Sequence, residues 1–202
     1  MTDRKPTAIV PSTHTGRGAL TKRPLDDLVS RGLADLQALD QAVEFPDKQL
    51  EADVREKLEK PKGPLTKKDL ETLETLVANK YRNADGTPAV LEPIKDLTGL
   101  EYCVNLAGFN LSSSRITDVS PLAGLIGLKW LYLDDNQITD LTPLAGLTGL
   151  TRLSLYENQI TDLTPLAGLT QLEYLQLSRN QITDVTPLAG LSGLTTDLGL
   201  EN

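Results

Sequence analysis

Leucine, proline, aspartate and asparagine recur at a fixed 22-residue step through the second half of this chain, and very few folds accept such a pattern. Leu125, Leu147, Leu169 and Leu191 form one ladder. Pro121, Pro143, Pro165 and Pro187 form a second, and Asp118, Asp140, Asp162 and Asp184 a third. Asn136, Asn158 and Asn180 follow the same step. The unit is clearest from Leu147 to Gly168, LTGLTRLSLYENQITDLTPLAG. Self-similarity at this period marks stacked supersecondary units in place of a single closed core. Upstream the pattern decays: Cys103 replaces the first Leu, Phe109 stands where Leu131 does, and Ser114 stands where Asn136 does. IKDLTGLEYC still aligns with ITDVSPLAGL, and the half-unit before Ile94 has lost the pattern.

Each ladder has a physical task. The LxL of Leu131-Tyr132-Leu133 alternates inward and outward as a strand does. One strand per unit, stacked, makes a parallel sheet whose inward leucines fill one continuous core, each contributing roughly 1.5–3 kcal/mol. The Asn after each strand can bond backbone groups of adjacent coils that would otherwise be buried unpaired. The Pro of ITDLTPL fixes a backbone angle and forbids a long helix, so the return segment should be turn-like or short 3₁₀, capped by the Asp before it. The expected fold is an α/β repeat, a right-handed solenoid with a short parallel sheet on its concave side and little helix over residues 94–195.

The N-terminal part reads differently. Residues 1–23 have no periodicity and are expected to form a disordered arm. Pro24 opens a run with Leu25, Leu28, Val29, Leu33, Leu36 and Leu39 at helical spacing, giving an amphipathic helix over 24–44. Residues 45–85 are expected to form a helical cap. Asp47 can start a helix over 47–59 with Leu50, Val54 and Leu58 on one face. Thr66 and Asp69 can form a capping box for a second helix over 66–78, with Leu70, Leu73, Leu76 and Val77 as its apolar face. The repeats then occupy 86–202, as about four full units with degenerate ends.

Charge and composition exclude several functions. The chain carries a formal net charge of -8. All of it falls on residues 86–202, where thirteen acids face five bases. Such a surface repels phosphate backbones and anionic lipid, so neither nucleic acid nor a membrane is an expected partner. Chemistry has no candidates. His14, the only histidine, lies in the arm with no orienting partner. Cys103, the only cysteine, takes a core position of the repeat. DDNQITD from Asp134 to Asp140 lacks the glycine and the glutamate of a calcium loop. Gly16–Gly18 is too short to cradle a phosphate. The chain is expected to be no enzyme and to hold no metal or cofactor.

Function should therefore lie on the outward side of the strands. By register these positions are Ala107, Gly108, Asn110, Ser112 and Ser113, then Lys129, Trp130, Tyr132, Asp134 and Asp135. The next two coils present Thr151, Arg152, Ser154, Tyr156 and Glu157, then Glu173, Tyr174, Gln176, Ser178 and Arg179. This face carries the only Trp and three of the five Tyr. Trp, Tyr and Arg are the residues that most often dominate protein interfaces. Trp130, Tyr132, Arg152, Tyr156, Tyr174 and Arg179 are thus the expected contact patch for a protein partner. Strand propensity alone also favours aromatics, so neutral strand filling is the competing explanation.

The near-verbatim recurrence of NQITDLTPLAGLTGL resembles the leucine-rich repeats of bacterial internalins and related proteins. Phe45–Leu76 resembles the helical segment that precedes such arrays. The resemblance covers about residues 45–202. It implies a curved solenoid and protein binding, and many members are surface or secreted proteins. The sequence shows no signal peptide, anchor or transmembrane run, so a cytoplasmic location is expected, with a secreted or surface location as the alternative. The immunoglobulin-like domain that follows internalin repeats is also not seen, so adhesion and invasion are not carried over. The last unit, LSGLTTDLGLEN, loses register at Asp197 and shows no obvious polar cap. That favours weak self-association or fraying of residues 180–200, and a fragment of a larger repeat protein as the alternative to an independent binding module.

Overall fold

The structure, a computed structural model, describes Leu33, residues 40–78 and residues 92–194. Leu33 belongs to a first unit, residues 1–36, and is helical and exposed. The other described residues belong to a second unit, residues 37–202. The expected disordered arm, most of the helix expected over 24–44, and residues 195–202 with their loss of register lie outside the described residues; the end of that expected helix, residues 40–44, is not helical, because Ala42 bridges Thr66 and Val43 N–H donates to the Leu65 carbonyl.

In the second unit, five short strands form one parallel sheet in sequence order: β1 (Thr75–Val77), β2 (Gly108–Asn110), β3 (Trp130–Tyr132), β4 (Arg152–Ser154) and β5 (Tyr174–Gln176). Phe109, Leu131, Leu153 and Leu175 pair in register and are fully buried. Their coil-mates Leu128, Leu150 and Leu172 before the strand, and Leu133, Leu155 and Leu177 after it, are buried in the same core. The sheet is open, one strand per repeat, as in a leucine-rich-repeat solenoid.

The return segments hold single 3₁₀ turns with proline early in each: Ser120–Leu122, Thr142–Leu144, Thr164–Leu166 and the longer Thr186–Gly190. The Asp ladder starts them, though from one residue earlier than the cap position. Each carboxylate accepts the N–H two residues on, for example Thr142 to Asp140 and Thr164 to Asp162, both at 2.8 Å. These bonds hold the carboxyls of Asp140, Asp162 and Asp184 below the usual carboxylate range, through the hydroxyl and N–H of Thr142, Thr164 and Thr186. A carboxyl with a lowered folded pKa adds stability that is whole above its unfolded value, 3.8, and is lost as pH falls through the folded value. Thermal melts should therefore drop as pH falls below 3.8 toward the lowered folded values. With Asn at all three positions, which keeps the acceptor and removes the titration, that acid-side drop should shrink. An unchanged acid limb would show that other carboxyls govern it.

Before the sheet, helix α1 (Lys48–Lys57) starts at Asp47, whose carboxylate accepts from the N–H groups of Gln49 and Leu50. The other oxygen of Asp47 accepts from Lys95 N–H at 2.9 Å, across the chain. Leu50 and Val54 of α1 and Phe45 before it join the repeat core. Phe45 lies against Gly99, a left-handed residue (φ 105°) where an added Cβ would come within 2.6 Å of the ring.

The helix expected over 66–78 does not form. The capping box of Thr66 and Asp69 is present, but helix α2 (Lys67–Leu70) lasts a single turn. The chain then enters β1, pairing Leu76 with Phe109, and Ala78 N–H donates to the Asn110 carbonyl. The reason is visible in the spacing. Leu73-xx-Leu76-x-Ala78 is a degenerate LxxLxL, and i,i+3 spacing serves a helix equally well. The edge of β2 offers a ladder of backbone partners that an isolated short helix lacks, and it decides the outcome. The repeat sheet consequently begins at Thr75, ahead of the expected start at residue 86.

Candidate functional site

The outward side of the sheet is organised in rows set by the parallel register. One row reads Gly108, Trp130, Arg152, Tyr174, and the next reads Asn110, Tyr132, Ser154, Gln176. Trp130 packs against Gly108 of the preceding coil, where the missing side chain leaves room for the indole. A Cβ there would sit 1.9 Å from the indole. Trp130 and Tyr132, two apart on β3, share one face and hold their ring centroids 5.5 Å apart, tilted by 32°. Both are half-buried, as is Tyr174, while Arg152 is exposed. Tyr132, Asp134, Arg152, Ser154 and Tyr174 line a shallow depression of about 250 Å³.

Beyond the strand ends, Tyr156 and Arg179 form a separate pair. The Arg179 guanidinium lies 5.3 Å from the centre of the Tyr156 ring and bonds Glu157 at 3.2 Å. Both charges are largely exposed, so that ion pair adds little stability. The structure thus gathers Tyr132, Arg152 and Tyr174 at one depression, with Trp130 stacked near Tyr132. Arg179 does not line that depression; it is bonded to Glu157 and covers Tyr156.

Three features of this face escaped the sequence. Asp134 acts as a clamp between coils: its carboxylate accepts from the Ser154 hydroxyl and from Tyr156 N–H at 3.0 Å. Gly108 is the seat of Trp130, and its only signal was a glycine 22 residues ahead of a tryptophan. Ser113, Asp135, Glu157 and Arg179 are all left-handed, with φ of 53–56°. Each non-glycine residue there costs about 1–2 kcal/mol. The turn it makes brings the following Ser114 or Asn into the coil.

Of the other candidates for chemistry, His14 and Gly16–Gly18 lie outside the described residues. Cys103 is fully buried, and burial, with Glu101 beside it, pushes its thiol up to about 12. It stays protonated at neutral pH and is no nucleophile. Among the described residues, no group of three or more His, Cys, Asp or Glu is placed to hold a metal. No described helix is long and apolar enough to cross a membrane.

The family model for leucine-rich repeats in two copies matches residues 126–168 and 148–190. A solved internalin of Listeria monocytogenes, InlF, is 32% identical with a TM-score of 0.61, over 74% of this chain and 48% of that one. The repeat array is similar to that of this internalin. The functional domain of InlJ from the same organism, described as including a cysteine ladder, is 25% identical with a TM-score of 0.60, over 77% of this chain and 33% of that one. A third structure, internalin C2 of L. monocytogenes, is 29% identical over 74% of this chain and 92% of that one, with a TM-score of 0.49. This internalin-like chain therefore spans about half of InlF and a third of the InlJ structure. No curated protein matches it. Leucine-rich-repeat proteins are generally protein-interaction modules, and the likeness to InlF and InlJ points to a non-enzymatic repeat fold.

Proposed function

We propose that this chain is a non-catalytic binding module that holds a protein partner against the outward face of β3–β5. The observation that carries this reading is the row of large amphipathic side chains on a rigid sheet. Trp130, Tyr132 and Tyr174 are half-exposed with their apolar area facing outward, although the core beneath is already filled by leucine. Rigid aromatics lose little conformational freedom on binding, and they dominate interface energetics when a partner covers them. Arg152 lies in register between Trp130 and Tyr174. Tyr156 and Arg179 flank the patch as a preformed pair.

The test is capture of a partner on the immobilised chain, with and without substitution of the aromatics. Replacing Trp130, Tyr132 and Tyr174 by alanine should reduce capture by tenfold or more, roughly the loss expected when hot-spot residues are truncated. The far-UV spectrum should be unchanged, because none of the three belongs to the buried leucine core. Undiminished capture by this variant would move the interface to the return segments or to the N-terminal residues.

A further inference from the structure

The depression on the sheet face is rich in hydrogen-bond donors that the protein itself does not use. Of its five lining residues, Asp134 turns its carboxylate to the Ser154 hydroxyl and the Tyr156 N–H. Those two groups are thereby committed to each other. Arg152 differs: among the described residues its guanidinium makes no hydrogen bond or ion pair. The hydroxyls of Tyr132 and Tyr174 likewise have no hydrogen-bond partner among the described residues. Arg179, the next arginine along the array, is already paired with Glu157. The depression thus presents a planar fork of five N–H groups, fixed in register between Trp130 and Tyr174, with two phenols beside it.

That set of donors matches one kind of group. A carboxylate accepts two parallel bonds from a guanidinium and a further one from a phenol. Flanking aromatic rings lower the local dielectric and strengthen the pair once a partner covers them. The surrounding charge sharpens the choice, because residues 86–202 are otherwise strongly acidic. An extended acidic segment would be repelled along most of the array, whereas a single carboxylate in a mainly apolar segment needs only one cation, and Arg152 is the one that lines the depression, where the Asp134 carboxylate is already held by Ser154 and Tyr156. We propose that Arg152 is the specificity residue of the face and receives the side-chain carboxylate of an Asp or Glu on the partner, seated between Trp130 and Tyr174. This inference rests on the sheet-face reading above.

The probe is a set of short end-blocked peptide pools whose central residue is Glu, Gln or Lys, passed over the immobilised full chain. The Glu-centred pool should be retained roughly tenfold more strongly than the Gln-centred pool, the scale of a charge-assisted bond. Arg152→Gln should erase that preference with an unchanged far-UV spectrum, and Arg152→Lys, which keeps the charge without the fork, should restore only part of it. Equal retention of the Glu and Gln pools, lowered for both by Trp130→Ala with Tyr174→Ala, would overturn the carboxylate while leaving the sheet face standing. Preference for the Lys-centred pool would make Asp134 the anchor and overturn it too. Retention of no pool, or retention indifferent to the aromatic substitutions, would remove the sheet face and the carboxylate together.

Discussion

Leu153→Ala should cost about 2–5 kcal/mol, the range for emptying a well-packed leucine site. Leu153 is fully buried and sits in the interior of the sheet, with Leu131 on one side and Leu175 on the other. A terminal coil could relax into the space; a coil held on both faces by ladder bonds cannot collapse as far, so the cavity persists. The effect also spreads along the array, because each coil is stable only through its neighbours. Tyr156→Ala in the same coil supplies the contrast. Its ring is half-buried under Arg179, and its loss should cost within about 1 kcal/mol. Thermal or urea melts of the two variants check both. Equal losses would mean that the inward and outward sides of β4 have been exchanged.

Asn158→Ala should cost about 1–3 kcal/mol for the buried backbone groups it leaves unpaired. The side-chain oxygen of Asn158 accepts from Ile138 N–H at 3.0 Å, and its amide donates to the carbonyls of Leu133 at 2.9 Å and Leu155 at 3.1 Å. The residue therefore ties its own coil to the one before, and none of these partners is reached by water. Asn136 and Asn180 make the equivalent bonds at their own positions. Asn158→Asp is the sharper probe. It keeps the acceptor for Ile138 but cannot donate to the two carbonyls, and at neutral pH it places a charge against them. Its melting temperature should fall below that of Asn158→Ala and recover in part as the carboxyl is protonated. An Asn158→Ala chain as stable as the parent would remove the ladder from any structural role.

Much of this fold was legible because the ladders report directly on burial. Leu128, Leu131 and Leu133 are inward for the same reason that Leu150, Leu153 and Leu155 are: a strand alternates, and the register repeats every coil. Asp47 and Thr66 were readable as helix starts from local chemistry alone. The strand at Thr75–Val77 was not, since Leu73, Leu76 and Ala78 satisfy two periodicities and only the neighbouring edge selects one. The left-handed turn at Asp135, Glu157 and Arg179 gave no signal because no glycine marks it. The candidate face was legible only as a set of outward positions. Which of them cooperate depends on contacts between coils, such as Trp130 over Gly108 and Asp134 on Ser154, and these relate residues about one repeat apart that no local pattern links.

A partner on the outward face of β3–β5 would cover Trp130, which reports on it directly. It is the only tryptophan of the chain, so its emission arises at one known place on that face. The measurement is a fluorescence titration of the full chain with a captured partner that lacks tryptophan, with acrylamide quenching at each end point. Covering a half-exposed indole should shift its emission to the blue and protect it from the quencher, saturably and at the stoichiometry found by sedimentation. A partner shown by sedimentation to bind, with Trp130 emission and quenching unchanged at saturation, would place the interface away from the outward face of β3–β5.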